Sequence, residues 1–236
     1  MLGLSLELYP NLMTRKMLCR DAGRRQTIFL LSPANASGIR GQRLLGTDGQ
    51  SPLALRLRES GAPLSEVYRF ISSLYFRGKH EYAEQFKYPP AGIPGVHIIT
   101  GAGLMLPETV VTLEDLRRIS AIPIDAENSD YRAPLKRDLL RLREFVDCET
   151  EVVLMGSIAT SKYLTPLLEV FGERLLFPKD FLGRGDMSRG SLLLRCCSTD
   201  SPLAYLPAAA LVIAGKKRFR TAHPAPVYDV ANKSSA

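Results

Sequence analysis

VVLMGSIATSKY, Val152 to Tyr163, is the stretch on which the fold turns. Val152, Val153, Leu154 and Met155 make an apolar run of buried-strand length. Gly156 opens a turn, and Leu164, Leu167, Leu168, Val170 and Phe171 then recur at helical spacing. A short buried strand therefore passes through a glycine turn into a helix whose start is rich in small and hydroxyl residues. Such a turn presents free backbone N–H groups at the positive end of the helix dipole, which suits a phosphate or another anion. Lys162 adds a charge beside it.

The same arrangement recurs along the chain. Thr27–Ser32 (TIFLLS) is an apolar run closed by Pro33, and the loop PANASGIRGQ follows it. Val96–Thr100 enters Gly101 and Gly103 directly. Leu175–Phe177, closed by Pro178, and Leu211–Ala214 read as further strands. Between them helical period dominates. It predicts helices at Pro52–Ser60, at Leu64–Phe76, and, after a break at Gly78, at Lys79–Phe86. Thr112 with Asp115 caps a short helix, and Pro134–Val146 forms a longer one. Strands separated by helices imply right-handed crossovers, hence a three-layer α/β fold with a mainly parallel central sheet and helices on both faces. In such sheets a ligand sits beyond the carboxyl ends of the strands. Those ends supply Asn35, Ser37 and Arg40, then Gly101 and Gly103, then Gly156, Ser157 and Thr160.

Composition bounds the remainder. The chain has 236 residues, 45% hydrophobic and 23% charged, which is ordinary for a globular protein with one core. The expected division is a basic extension over 1–25, a single α/β domain over 26–215 and a basic, flexible tail over 216–236. No apolar run approaches the roughly 18 residues that a membrane span needs. The N-terminus lacks the pattern of a secretory signal. Cys19, Cys148, Cys196 and Cys197 show no C-x-x-C spacing, so the expected compartment is a reducing cytoplasm. The net charge of +7 favours an acidic partner, either nucleic acid or a phosphate-bearing small molecule, and no membrane.

No cofactor and no metal are expected. The chain has neither G-x-x-x-x-G-K-[ST] nor a G-x-G-x-x-G that opens a helix after a strand. His80, His97 and His223 make no pair at metal spacing, and no G-x-S-x-G elbow is present. The candidates lie elsewhere. Asn35 and Ser37 either hydrogen-bond a base or sugar or cap their own turn, with Arg40 placed for a phosphate. In YFRGKHEYA, Tyr75–Ala83, Arg77 and Lys79 lie among aromatics; they either neutralise phosphates while the rings stack bases or complete a helix end over a core. GRGDMSRG, Gly183–Gly190, sets Arg184, Asp186 and Arg189 among glycines. As a loop it would bring backbone to a ligand, with Asp186 as acid–base group or ribose acceptor and the arginines on phosphate; otherwise it is a salt-bridged loop.

FLLSPANASGIR, FISSLYFRGKHEYAEQF, YRAPLKRDL, VVLMGSIATSKY and FGERLLFPKDFLGRGDMSRGSLLLR together resemble a bacterial family of uncharacterised α/β proteins, from Thr27 to about Arg195. More distantly, the strand entering the G-x-x-A turn at Leu154–Ala159 is similar to the uracil-DNA glycosylase-like superfamily. That resemblance implies an α/β fold and chemistry at an N-glycosidic bond. The chain departs from the superfamily at both of its catalytic segments, having no G-x-D-P-Y loop and no H-P-S; its His-Pro, His223–Pro224, continues with Ala225.

Two functions are therefore expected. One is an enzyme acting on a nucleobase, nucleotide or nucleic acid, including at an N-glycosidic bond. Asp186 would be catalytic. Asn35 would read the base, and Lys162, Arg184 and Arg189 would hold phosphate. The other is a non-catalytic nucleic-acid-binding, stress or defence accessory protein. A closed cleft around Asp186 favours the first, and an open basic groove the second.

Overall fold

The computed structural model describes residues 25–46, 49–147, 149–158 and 161–210. Thr160, the strand expected at Leu211–Ala214, the tail and all of the basic extension but Arg25 lie outside the described residues.

The sheet has six strands in the order β4-β3-β1-β6-β7-β8. They are β1 (Thr27–Leu31), β3 (Val96–Thr100), β4 (Gly103–Met105), β6 (Glu151–Met155), β7 (Leu175–Pro178) and β8 (Tyr205–Pro207); β2 (Ala62–Pro63) and β5 (Val110–Val111) form a separate two-stranded ribbon. The three apolar runs at 27–32, 96–100 and 152–155 lie side by side: β1 pairs in parallel with β3 on one side and β6 on the other. β7 extends the parallel set, while β4 and β8 are antiparallel edges. The backbone polar groups of β1, β3 and β6 are thus met within the sheet, and all five residues of β1 and of β3 are buried, as continuous apolar runs in a parallel sheet should be.

Two helical layers cover the sheet. On one side α4 (Ser73–Phe86) packs on α8 (Asp186–Ser198), and on the other α6 (Ser129–Phe145) packs on α7 (Ser161–Phe171). Phe29 of β1 meets the Tyr82 ring of α4 edge-on, with centroids 5.8 Å apart. The remaining helices are α1 (Ile39–Leu45), α2 (Pro52–Glu59), α3 (Leu64–Ile71) and α5 (Leu113–Ala121). α5 opens with the expected cap, a reciprocal box in which Thr112 accepts from the Asp115 N–H and Asp115 from the Thr112 N–H.

Three local expectations are corrected. Gly78 does not break a helix: α4 runs unbroken through it, and the interruption falls six residues earlier at Ser72. A Cβ at Gly78 would lie 2.8 Å from the Gly190 carbonyl oxygen, so the glycine is there to let α4 and α8 cross closely. α6 starts at Ser129, capped by the Asn128 side chain, and carries Pro134 inside it rather than at its start. GRGDMSRG is not a loop throughout, because Asp186–Gly190 form the first turns of α8. Helical geometry there puts Asp186 and Arg189 on one side, with a 3.6 Å ion pair between them.

Candidate functional site

The connection leaving β1 leads toward β3, whereas the chain later crosses back to place β6 on the other side of β1. The loops after β1 and β6 therefore diverge, and this is the switch point at which an open α/β sheet forms its crevice. A cleft of about 600 Å³ lies there. Residues 32–38 after β1, Gly101 after β3, and Ser157, Lys162 and Tyr163 after β6 line it. Tyr68, Ile71, Ser72 and Tyr75 from α3 and α4 form a wall, Asp186 contributes from α8, and Ile119 to Ile124 close the far side.

Close backbone approaches set its shape. Leu31 pairs with Met155 at the ends of β1 and β6, and the Ser32 N–H continues the ladder to the Met155 carbonyl at 3.1 Å. A Cβ on Gly156 would come 3.0 Å from the Ser32 Cβ, so glycine there lets the two loops leave side by side. At Gly101 a Cβ would sit 2.6 Å from the Ile119 carbonyl oxygen, so its absence allows the end of α5 to reach the cleft.

The structure brings Asn35, Ser37, Gly101, Ser157, Lys162 and Asp186 to one cleft. The Asn35 side-chain oxygen accepts from the Ser37 N–H at 3.1 Å and the Ser37 hydroxyl at 2.7 Å. The turn-capping role is thus real, and it orients the amide so that its two N–H donors are the group left to meet a ligand. The Lys162 ammonium lies over the Tyr163 ring at 5.1 Å, and the Tyr131 hydroxyl pins the Lys162 carbonyl at 2.9 Å. The Asp186 side chain is 70% exposed at the rim. Arg189 stacks on Phe181 at 5.3 Å and donates to its carbonyl from Nε and Nη2 at 3.3 and 3.1 Å, which holds the guanidinium near the carboxylate.

Other expected site residues stand apart. Arg40, on α1, is exposed and does not line the cleft; neither do Gly103 and Gly156. Gly103 has φ +111°, and Asp138 Oδ2 occupies the place of its Cβ to accept from the Leu104 N–H at 3.0 Å, a structural use. Arg184 is exposed and donates to the Ser188 hydroxyl at 3.1 Å. The basic–aromatic cluster of Tyr75–Ala83 is split by the helix. Arg77 faces outward, 3.7 Å from Glu81, and lines a shallower depression with Arg69 and Phe70. Lys79 faces inward.

Lys79 is only 1% exposed, and its ammonium nitrogen lies 2.6 Å from the Ser32 carbonyl oxygen and 2.8 Å from Ser32 Oγ. It also sits over the Tyr75 and Phe76 rings at 4.6 and 5.2 Å. Burial lowers its pKa to about 7; Asp186 opposes that fall and Arg189 adds to it. The Tyr75 hydroxyl beside it is buried without a hydrogen bond of good geometry. Burial pushes that phenol up to about 12 against the pull of the Arg189 guanidinium, and Tyr163 rises to about 12 for the same reason. Among the described residues no three His, Cys, Asp or Glu side chains gather to hold a metal ion, and no helix is long and apolar enough to cross a membrane.

The buried position of Lys79 has a measurable consequence. The folded chain binds fewer protons at Lys79 than the unfolded chain between pH 7 and about 10, so the lysine's contribution to stability must rise with pH across that window. The stability of the wild type relative to Lys79→Met should therefore improve from pH 7 to pH 9. The slope has a ceiling of about 1.4 kcal/mol per pH unit, set by one proton. Chemical denaturation of both proteins across the series checks this; a difference independent of pH contradicts it.

Sequence reasoning passed over Ser32, Tyr68 and the Ile119–Ile124 wall. Lys79 was open to reading as buried, because it shares a helical stripe with Tyr75, Tyr82, Ala83 and Phe86. Ser32 had only its place at the end of an apolar run to mark it. In comparisons with known proteins the chain matches no family model, no curated protein and no solved structure.

Proposed function

We propose that the protein is an enzyme that processes a nucleobase or nucleotide, with an N-glycosidic bond as the candidate point of attack. One observation carries this reading: a switch-point cleft of about 600 Å³ combines tyrosine and isoleucine walls with an oriented amide at Asn35, an ammonium at Lys162 and a carboxylate at Asp186. Flat apolar walls suit the faces of a heterocycle, and directed donors suit its edge. Asn35 would read the base, Lys162 would hold a phosphate, and Asp186 would activate water or receive a ribose hydroxyl. The similarity of Leu154–Ala159 to the uracil-DNA glycosylase-like superfamily supports the same bond class. Because that superfamily's two catalytic segments are missing, the acid–base work would fall to Asp186.

The cleft itself is not a basic groove. Among the described residues that line it, Lys162 is the one lysine or arginine. The competing reading, a non-catalytic nucleic-acid binder, would use the outer face instead, where Arg69 and Arg77 flank the exposed Phe70. Its affinity for an oligonucleotide would fall steeply with salt as counterions are released. Calorimetry with a panel of free bases, nucleosides and nucleotides, alongside chromatographic detection of released base, separates the two. The enzyme reading expects a saturable ligand whose affinity drops about tenfold in Asn35→Ala, the loss of one or two good hydrogen bonds. Absence of any binding from the panel at millimolar concentration, with salt-sensitive oligonucleotide binding intact, replaces it with the second.

A further inference from the structure

We propose that Ser32 and Lys79 form a nucleophile–base dyad that hydrolyses a carboxylic ester, or a comparably activated acyl group, bound in the cleft. This goes beyond the nucleobase reading: it lies in the same cavity but has its own nucleophile and base, sharing with that reading only the Asn35 and Lys162 donors.

The geometry of Ser32 points to it. Ser32 lines the cleft although it is only 6% exposed, and its hydroxyl proton has two acceptors within reach. The hydroxyl donates to the Met155 carbonyl at 3.3 Å and accepts from Lys79 Nζ at 2.8 Å; once the amine is neutral, its lone pair is the closer acceptor for that proton. A neutral amine has two N–H donors and one lone pair. With one donor engaged by the Ser32 carbonyl at 2.6 Å, the neutral amine has its lone pair available to face Oγ, which would complete the nucleophile–base–orienter relation of a serine–lysine pair. The charges facing Lys79 are Asp186 and Arg189 of α8, of opposite sign; Tyr75 and Phe76 of its own helix and Ser32 of β1 add no charge. With those two opposed, burial decides its protonation, and the amine is largely free of its proton above about pH 7.

The reaction balances without an external oxidant or reductant. Ser32 Oγ bonds to the acyl carbon as its proton passes to Lys79 Nζ. The carbon–oxygen bond to the alcohol then breaks, and Lys79 returns that proton to the leaving alkoxide. Water attacks the acyl-serine with Lys79 again as base, releasing the carboxylic acid and restoring the hydroxyl. Asn35 and Lys162 are the donors in the cleft that could meet the developing oxyanion.

An alkyl fluorophosphonate, which serine attacks with loss of fluoride, tests the dyad on the full chain by intact mass and peptide mapping. Stoichiometric labelling at Ser32 is expected, rising about tenfold per pH unit below pH 7 and level above it, as a base of that pKa requires. Ser32→Ala should take no label there. Lys79→Met and Lys79→Arg should each slow labelling about a hundredfold, because neither supplies a neutral amine. If thermal melts show that the Lys79 variants fail to fold, the wild-type pH profile decides alone. Wild type unlabelled at Ser32 from pH 6 to 9, or labelled at a rate indifferent to pH, overturns the dyad. Either result leaves the nucleobase panel untouched, since no binding in that panel depends on Ser32.

Discussion

Asp186→Asn should lower turnover of a nucleobase or nucleotide substrate by about a hundredfold, the usual scale of a lost acid–base group, while substrate affinity changes less than about threefold. The substitution keeps the shape of the side chain and its place in the first turn of α8, so the cleft should survive. What it removes is the basic oxygen at the rim, held 3.6 Å from Arg189. An effect on kcat with KM nearly constant identifies a group used in the transition state rather than in binding. Arg189→Ala provides the contrast. That guanidinium packs on Phe181 and faces Asp186, so its loss should relax the carboxylate's position and raise KM as well as lower kcat. An Asp186→Asn enzyme with unchanged kcat removes Asp186 from the mechanism. If kcat is unchanged in Asp186→Asn while ligand affinity collapses in Arg189→Ala, the cleft binds without using this acid.

Gly78→Val should destabilise the fold by an amount at the upper end of about 1–3 kcal/mol, the range for forcing atoms into a packed contact. Helix propensity acts in the opposite direction, since valine is a better helix residue than glycine by a few tenths of a kcal/mol, and it loses. The reason is steric: the first added carbon alone would sit 2.8 Å from the Gly190 carbonyl oxygen and 3.3 Å from the Leu193 Cβ, and neither backbone can yield without moving a helix. The reciprocal contact is as tight, because a Cβ on Gly190 would meet the Leu74 carbonyl oxygen at 2.9 Å. A chemical melt of Gly78→Val, Gly190→Val and the double variant checks this. One separation of α4 from α8 relieves both clashes, so the double variant should lose clearly less than the sum of the two. The same separation would displace Tyr75, Lys79 and Asp186, so ligand binding should weaken in any Gly78→Val protein that still folds. Stability equal to wild type would mean that the two helices are not held at this distance.

The three core strands were legible because an apolar run of four to six residues closed by a proline or a glycine has few uses other than a buried strand. Their adjacency followed from the helices between them, since a parallel pair needs a crossover. The convergence of Asn35, Gly101 and Ser157 was legible for the same reason: residues that leave parallel strands at one end arrive at one edge. Even the cap at Thr112 could be read, because its partners are three residues apart. What a short stretch of chain could not show was which glycines are breaks and which are contacts. Gly78 is flanked by polar and aromatic residues that read equally well as the end of a helix, and only the carbonyl of Gly190, 112 positions away, reveals that α4 continues through a helix crossing.

Side-chain direction was the other gap. Arg77 and Lys79 are two residues apart, which on a helix turns them about 200° from each other, so one basic cluster became an exposed arginine and a buried amine. Asp186 read as a loop residue until Arg189, one turn on, was seen to share its side of α8. The sequence by itself determined the core strands, their shared direction and the edge where their loops converge, because those depend on patterns within a few residues and on crossover geometry; the short antiparallel edges β4 and β8 left no such pattern. Only the tertiary structure decided that Ser32 meets Lys79 across 47 positions and that Asp186 joins Asn35 at one cleft. Hydrogen bonds and desolvation act over a few ångströms of space, and no periodicity along the chain encodes which distant side chains will share it.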